Sequence, residues 1–193
     1  MSAKLWFSRT FYRLVIAWWW MWSKVYRFFY HRKYRKIALP QGLHIDSAQA
    51  HMNKLTWSKD TWRELGDSVG DPRWVQYCLN QITSTGKQPN GALDCDDFAC
   101  WAANVIHPGW NPKILSFSWM KDGKLAGHAV CACGGGLGQS LYYIGNWGKI
   151  GVFPNIRGIC IDMMSRAKAD VAIGWNLRDR NLKLISWGKG LPK

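Results

Sequence analysis

The first 36 residues contain no aspartate, glutamate, proline or glycine. The missing acids leave Lys4, Arg9, Arg13, Lys24, Arg27, Arg32, Lys33, Arg35 and Lys36 unopposed. The missing proline and glycine remove the strongest helix breakers, so one long helix is expected there. An apolar run long enough to span a bilayer is also lacking. The longest, Leu14 to Trp22, falls well short of the roughly 20 residues a span requires. It resembles the apolar part of a secretory signal, but no small-residue cleavage site follows it. Elsewhere, no Lys-Ser/Thr follows the glycine run Gly134–Gly138, which excludes a phosphate-binding loop of that type. Cys131-Ala132-Cys133 lacks the two-residue spacing of zinc pairs, and no internal repeat is present.

Aromatic residues concentrate in the acid-free stretch, with Trp18, Trp19, Trp20 and Trp22 in its apolar run. Trp and Tyr favour the boundary between lipid and water, and flanking Lys and Arg reach toward headgroups. The segment therefore reads as a basic, Trp-rich amphipathic helix that anchors to a membrane surface. Docking into a partner assembly such as a virion is the next reading. Stacking of the aromatics on single-stranded nucleic acid comes last. The whole chain is basic, with 26 Lys+Arg against 12 Asp+Glu and a net charge of +14.

Pro40 and Gly42 end this segment, dividing the chain into an anchoring helix and linker, 1–40, and a second unit, 41–193. Residues 43–83 read as helical, with capping residues at Ser58–Thr61 and a clear start at Asp71-Pro72. A polar loop, 84–90, leads to a helix beginning at Cys95 and stopped by His107-Pro108-Gly109. Beyond Pro112 the pattern changes. Leu115, Phe117 and Trp119 alternate with serines, Asp122-Gly123 marks a turn, and strands are expected over 125–133 and 140–145. Residues 156–164 fit neither pattern clearly. A hairpin over 171–176 and 182–187 closes the chain. Helices first and an antiparallel sheet second make an α+β fold.

Three blocks carry chemistry: Asp94-Cys95-Asp96-Asp97-Phe98-Ala99, Gly127-His128-Ala129-Val130 and Tyr143-Ile144-Gly145-Asn146. They supply a thiol, an imidazole and an amide, separated by 33 and 18 positions. A thiol of ordinary pKa, about 8.5, yields little thiolate at neutral pH. The positive end of a helix lowers that value, and a nearby imidazole can take the proton. A third group fixes the imidazole's orientation. Asp94 is suited to cap the helix, and Asp96 and Asp97 to sit in its first turn. Three clustered carboxylates also argue against burial in an apolar core. The Cys95 amide is a natural oxyanion donor, with Gln88, Asn90 and Trp74 as candidates for a second.

The order and content of these blocks resemble the transglutaminase-like cysteine hydrolases of bacteria and their phages, within the papain-like group. The resemblance covers residues 70–150 and rests mainly on the Cys95 block. Leu93 stands where that family commonly has Gly, and Asn146 where it often has an acid. The resemblance implies a papain/transglutaminase-like core with a Cys95-His128-Asn146 triad. That triad would cleave an amide or peptide bond through a thioester, with water or an amine as acceptor. It implies a protein or peptide substrate, with no cofactor and no metal. The alternative is an idle hydrolase fold serving a structural or membrane-interacting role, for example in a phage virion. Six cysteines could form disulfides. Without a cleaved signal, however, a reducing compartment is expected for the catalytic unit, the protein being membrane- or virion-associated. Cys78, Cys100, Cys131, Cys133 and Cys160 read as packing residues.

Overall fold

A computed structural model describes residues 14, 18, 21–22, 25, 28–29, 32–58, 71–91, 93–134 and 140–193. Helices α1 (Ile45–Met52), α2 (Pro72–Thr85) and α3 (Cys95–Val105) precede the sheet. After a short 3-10 turn, Pro108–Trp110, the chain enters β1 (Lys113–Lys121), β2 (Lys124–Gly134), β3 (Leu141–Ile144) and β4 (Ile150–Phe153). Helix α4 (Ile156–Ala167) interrupts the strands before β5 (Val171–Arg178) and β6 (Leu184–Lys189). The protein is thus α+β, with one six-stranded antiparallel sheet in the order β4-β3-β2-β1-β5-β6.

Each helix starts where a side chain can take its orphan amides. The Asp71 carboxylate accepts from the Arg73 amide at 2.8 Å, Pro72 occupies the first helical position and Gly86 closes α2 at φ +71°. The Asn155 side chain accepts from the Gly158 amide at 3.0 Å and starts α4. This helix settles the ambiguous 156–164 stretch. Ile156, Ile159, Cys160 and Met163 share one face at helical spacing and pack on the sheet.

Strand alternation divides the core in two. Ile114, Ala129, Cys131, Cys133 and Ile144 face α1, α2 and α3. Leu115, Phe117, Val130, Ala132 and Tyr143 face α4. The sheet is therefore covered on both sides, which explains why β2 is buried from His128 onward instead of alternating with polar residues.

Residues 43–83 are not uniformly helical. Ser58, expected among capping residues, forms an isolated antiparallel bridge with Leu93, and the rest of that expected cap, 59–61, lies outside the described residues. Residues 135–139 of the glycine run are likewise outside them.

The described residues from 14 to 34 in the N-terminal segment are helical. Leu14, Trp18, Met21, Trp22, Val25, Phe28 and Phe29 are each 40–63% exposed. Tyr34 differs. It is buried against Trp74 and Tyr77 and ties this segment to the core of the second unit.

Candidate functional site

Cys95 is the first residue of α3, where the helix dipole places positive potential. Asp94 Oδ1 accepts from the amides of Asp96 and Asp97 at 3.2 and 3.5 Å, capping the helix. The loop before it is tied down by residues 56–58. Gln88 accepts from the Thr56 amide at 2.8 Å and donates to the Thr56 carbonyl at 3.0 Å. The Ser58 amide donates to the Leu93 carbonyl at 2.9 Å, and the Leu93 amide donates to the Ser58 hydroxyl at 3.0 Å.

The thiol meets the sheet beside His128. The Ala129 amide donates to Cys95 Sγ at 3.4 Å. Alternation sorts the neighbouring side chains. Ala129, Cys131 and Cys133 share the row facing α3, whereas His128 sits opposite Phe117 in the other row. Pairing of β3 with β2 reaches no further than Ile144 opposite Cys131. Beside His128 the sheet edge is therefore open, and the turn Gly145–Trp147 reaches it. Trp147 stacks on the imidazole with ring centroids 3.9 Å apart and planes 15° apart.

That cover shapes the chemistry of His128. The residue is 8% exposed, and its Nε2 is buried without a hydrogen-bond partner. Burial pushes its pKa down to about 4, against a smaller opposing pull from the Asp94 charge. The imidazole is therefore neutral at pH 7 and, while buried this way, a weaker base than an ordinary histidine.

The turn bearing Trp147 is held from α1. Gln49 is 6% exposed and clamps Gly145 at both ends. Its Nε2 donates to the Gly145 carbonyl at 3.0 Å and its Oε1 accepts from the Gly145 amide at 3.2 Å. Replacing Gln49 with Ala should cost about 1–3 kcal/mol, because buried polar groups lose their partners. It should also loosen Trp147 and raise the His128 pKa toward the ordinary value of about 6.5. An NMR titration of the imidazole protons reads this directly. An unmoved midpoint would mean that the clamp does not hold Trp147 in place.

Asn146, the expected third member, is exposed on this turn and makes no hydrogen bond to His128. Trp147, one position further on, is the residue brought against the ring. Stacking of this kind leaves no spacing signal in a sequence. Among the candidate oxyanion donors, the Gln88 amide is engaged with Thr56 at both ends. Trp74 is buried in a stack with Tyr34 and Tyr77, and Asn90 is exposed.

The carboxylates correct one expectation. Asp94, Asp96 and Asp97 are 8%, 3% and 7% exposed, so the acidic block is buried. The first turn of α3 makes this tolerable, since its amides and dipole favour negative charge. Asp94, Cys95 and Asp96 offer ligand atoms within 4.8 Å of one another. A helix N-terminus brings consecutive residues this close unaided, and Asp94 Oδ1 already accepts two amides, so no metal is assigned.

The remaining thiols are buried. Burial raises Cys78 and Cys160 to about 12, with the Asp97 charge adding to the effect at Cys78, and holds Cys131 well above the ordinary range. Cys131 and Cys133 approach to 3.5 Å as free thiols on the row away from His128. No family model, curated protein or solved structure matches this chain.

Proposed function

We propose that this chain is a cysteine-dependent amide or peptide hydrolase, or acyl transferase, of the papain-like and transglutaminase-like type, tethered to a membrane or large assembly through residues 1–36. The supporting observation is the meeting of Cys95, at the first turn of a helix, with the backbone beside a neutral, ring-stacked His128. In this reading His128 takes the Cys95 proton as the thiol attacks a carbonyl carbon. The resulting oxyanion collapses, the C–N bond breaks, and the imidazolium returns its proton to the leaving amine. Water or a second amine then attacks the thioester and regenerates the thiol. The imidazole stands in the row turned away from α3, so this step requires His128 to swing to the Cys95 side of β2 when substrate binds. A resting-state hydrogen bond is not required, since catalytic contacts commonly tighten only on binding.

One observation favours a non-catalytic alternative, a structural or membrane-interacting role. His128 Nε2 is buried without a partner and Asn146 is exposed, so among the described residues Trp147 is the group seen to hold the ring.

Alkylation of Cys95 against pH separates the two. For an active pair, the rate stays high well below the ordinary thiol pKa of about 8.5 and falls about tenfold or more in His128→Ala. Cys95→Ser should abolish the fast phase, because the other thiols are buried. A rate that rises only near the free-thiol value and ignores His128 would leave the structural role standing.

A further inference from the structure

Trp18, Trp22, Phe28 and Phe29 each expose 40% or more of their surface. Trp18 and Trp22 stack on each other at 6.3 Å, and the Arg32 guanidinium lies 5.5 Å from the centre of the Phe28 ring. Phe28 also borders a cleft of about 730 Å³, together with Leu39, Arg73, Asn104 and Arg180. This cleft lies at the far end of α3 from Cys95, since Asn104 is in its last turn. Arg73 lies 3.6 Å from the Asp71 carboxylate, whereas the exposed Arg180 adds a cation at the turn between β5 and β6.

We propose that the exposed aromatics Trp18, Trp22, Phe28 and Phe29 and the Arg180 edge of this cleft form one docking surface for an anionic lipid bilayer. The aromatics insert to the level of the headgroups, and Arg180 meets a lipid phosphate. Two observations select this occupant. The acid-free segment carries nine Lys and Arg residues, which complements an anionic surface and opposes pairing with a second copy of itself. The longest apolar run of the segment, Leu14 to Trp22, falls well short of the roughly 20 residues of a span, which favours a helix lying in the interface. The proposal rests on the tethering part of the reading above and not on Cys95.

Co-sedimentation of the full chain with vesicles tests it. The vesicles are phosphatidylcholine alone or phosphatidylcholine mixed with phosphatidylglycerol. Binding should be at least about tenfold tighter to the anionic vesicles and weaken with salt. Trp18→Ser with Phe29→Ser should abolish it, and Arg180→Glu should weaken it about fivefold or more. Val152→Ser removes an equally exposed apolar side chain from β4 and should change nothing. Cys95→Ser should bind like the parent chain, so loss of the hydrolase reading would leave this one intact. Three results would overturn the proposal: equal binding to neutral vesicles, indifference to the paired substitution, or self-association that depends on Trp18 and Phe29 without vesicle binding. Salt-sensitive capture of single-stranded DNA in place of vesicles would also overturn it.

Discussion

Between about pH 7 and pH 4 the protein is expected to lose about 3 kcal/mol of stability that a His128→Leu variant retains. The folded imidazole titrates at about 4 because it is buried, while the unfolded one titrates near its ordinary value of 6.5. Across that window the unfolded chain binds more protons, so stability rises with pH. The contribution is fully present above about 6.5, is lost progressively as the pH falls, and bottoms out below about 4, where both states are protonated. Urea unfolding at several pH values gives the slope. Other acids contribute to both proteins, so the difference between them isolates His128. Parallel pH curves would show that the imidazole is not held neutral by burial, and the description of a ring sealed under Trp147 would fail.

The second large effect belongs to Gly91. Its φ of +153° is one that residues with side chains rarely adopt, and an added Cβ would lie 2.5 Å from Cζ2 of Trp74. Trp74 cannot yield easily, because it is buried in a three-ring cluster with Tyr34 and Tyr77. Gly91→Ala should therefore cost about 2–4 kcal/mol, combining backbone strain with overpacking. It should also disturb the register of Leu93 with Ser58 and shift the start of α3, lowering Cys95 alkylation relative to the other thiols. Thermal unfolding measured with mass-spectrometric labelling reads both. A variant as stable as the parent, with unaltered labelling, would show that the loop before Cys95 repacks at no cost.

The sequence made some of this legible and concealed the rest for physical reasons. Local chemistry announced the Asp71-Pro72 start, the Asp94 cap, the Asp122-Gly123 turn and the final hairpin, because each depends on neighbouring residues. Helix α4 was obscured by Gly158 near its start and the exposed Ile161 on its outer face. A Cβ at Gly158 would make only ordinary contacts with Phe153 and Pro154, at 3.4 to 3.5 Å, so packing does not require glycine there. The burial of Asp94, Asp96 and Asp97 was hidden because it depends on what the sheet and α2 bring against the first turn of α3. The clamp from Gln49 to Gly145 spans 96 positions and leaves no motif. The expectation for Asn146 rests on its hydrogen-bonding capacity, whereas the structure brings the flat aromatic surface of Trp147 to the imidazole.

The position of β1 has a bearing on how the molecule is assembled. It pairs with β2 across the two-residue turn Asp122-Gly123, both at positive φ, a tight local hairpin that can close early. Its other edge waits for β5, which begins at Val171. Until that late segment arrives, the centre of the sheet is an unpaired strand edge lined by Leu115, Phe117 and Trp119. A nascent or truncated chain ending near residue 170 would carry the complete thiol and imidazole region on an aggregation-prone half-sheet. The last two strands therefore act as a built-in completion signal. Soluble, monodisperse fragments are to be sought with boundaries beyond β6, and trimming from that end removes the protection of a strand more than 50 positions earlier in the chain.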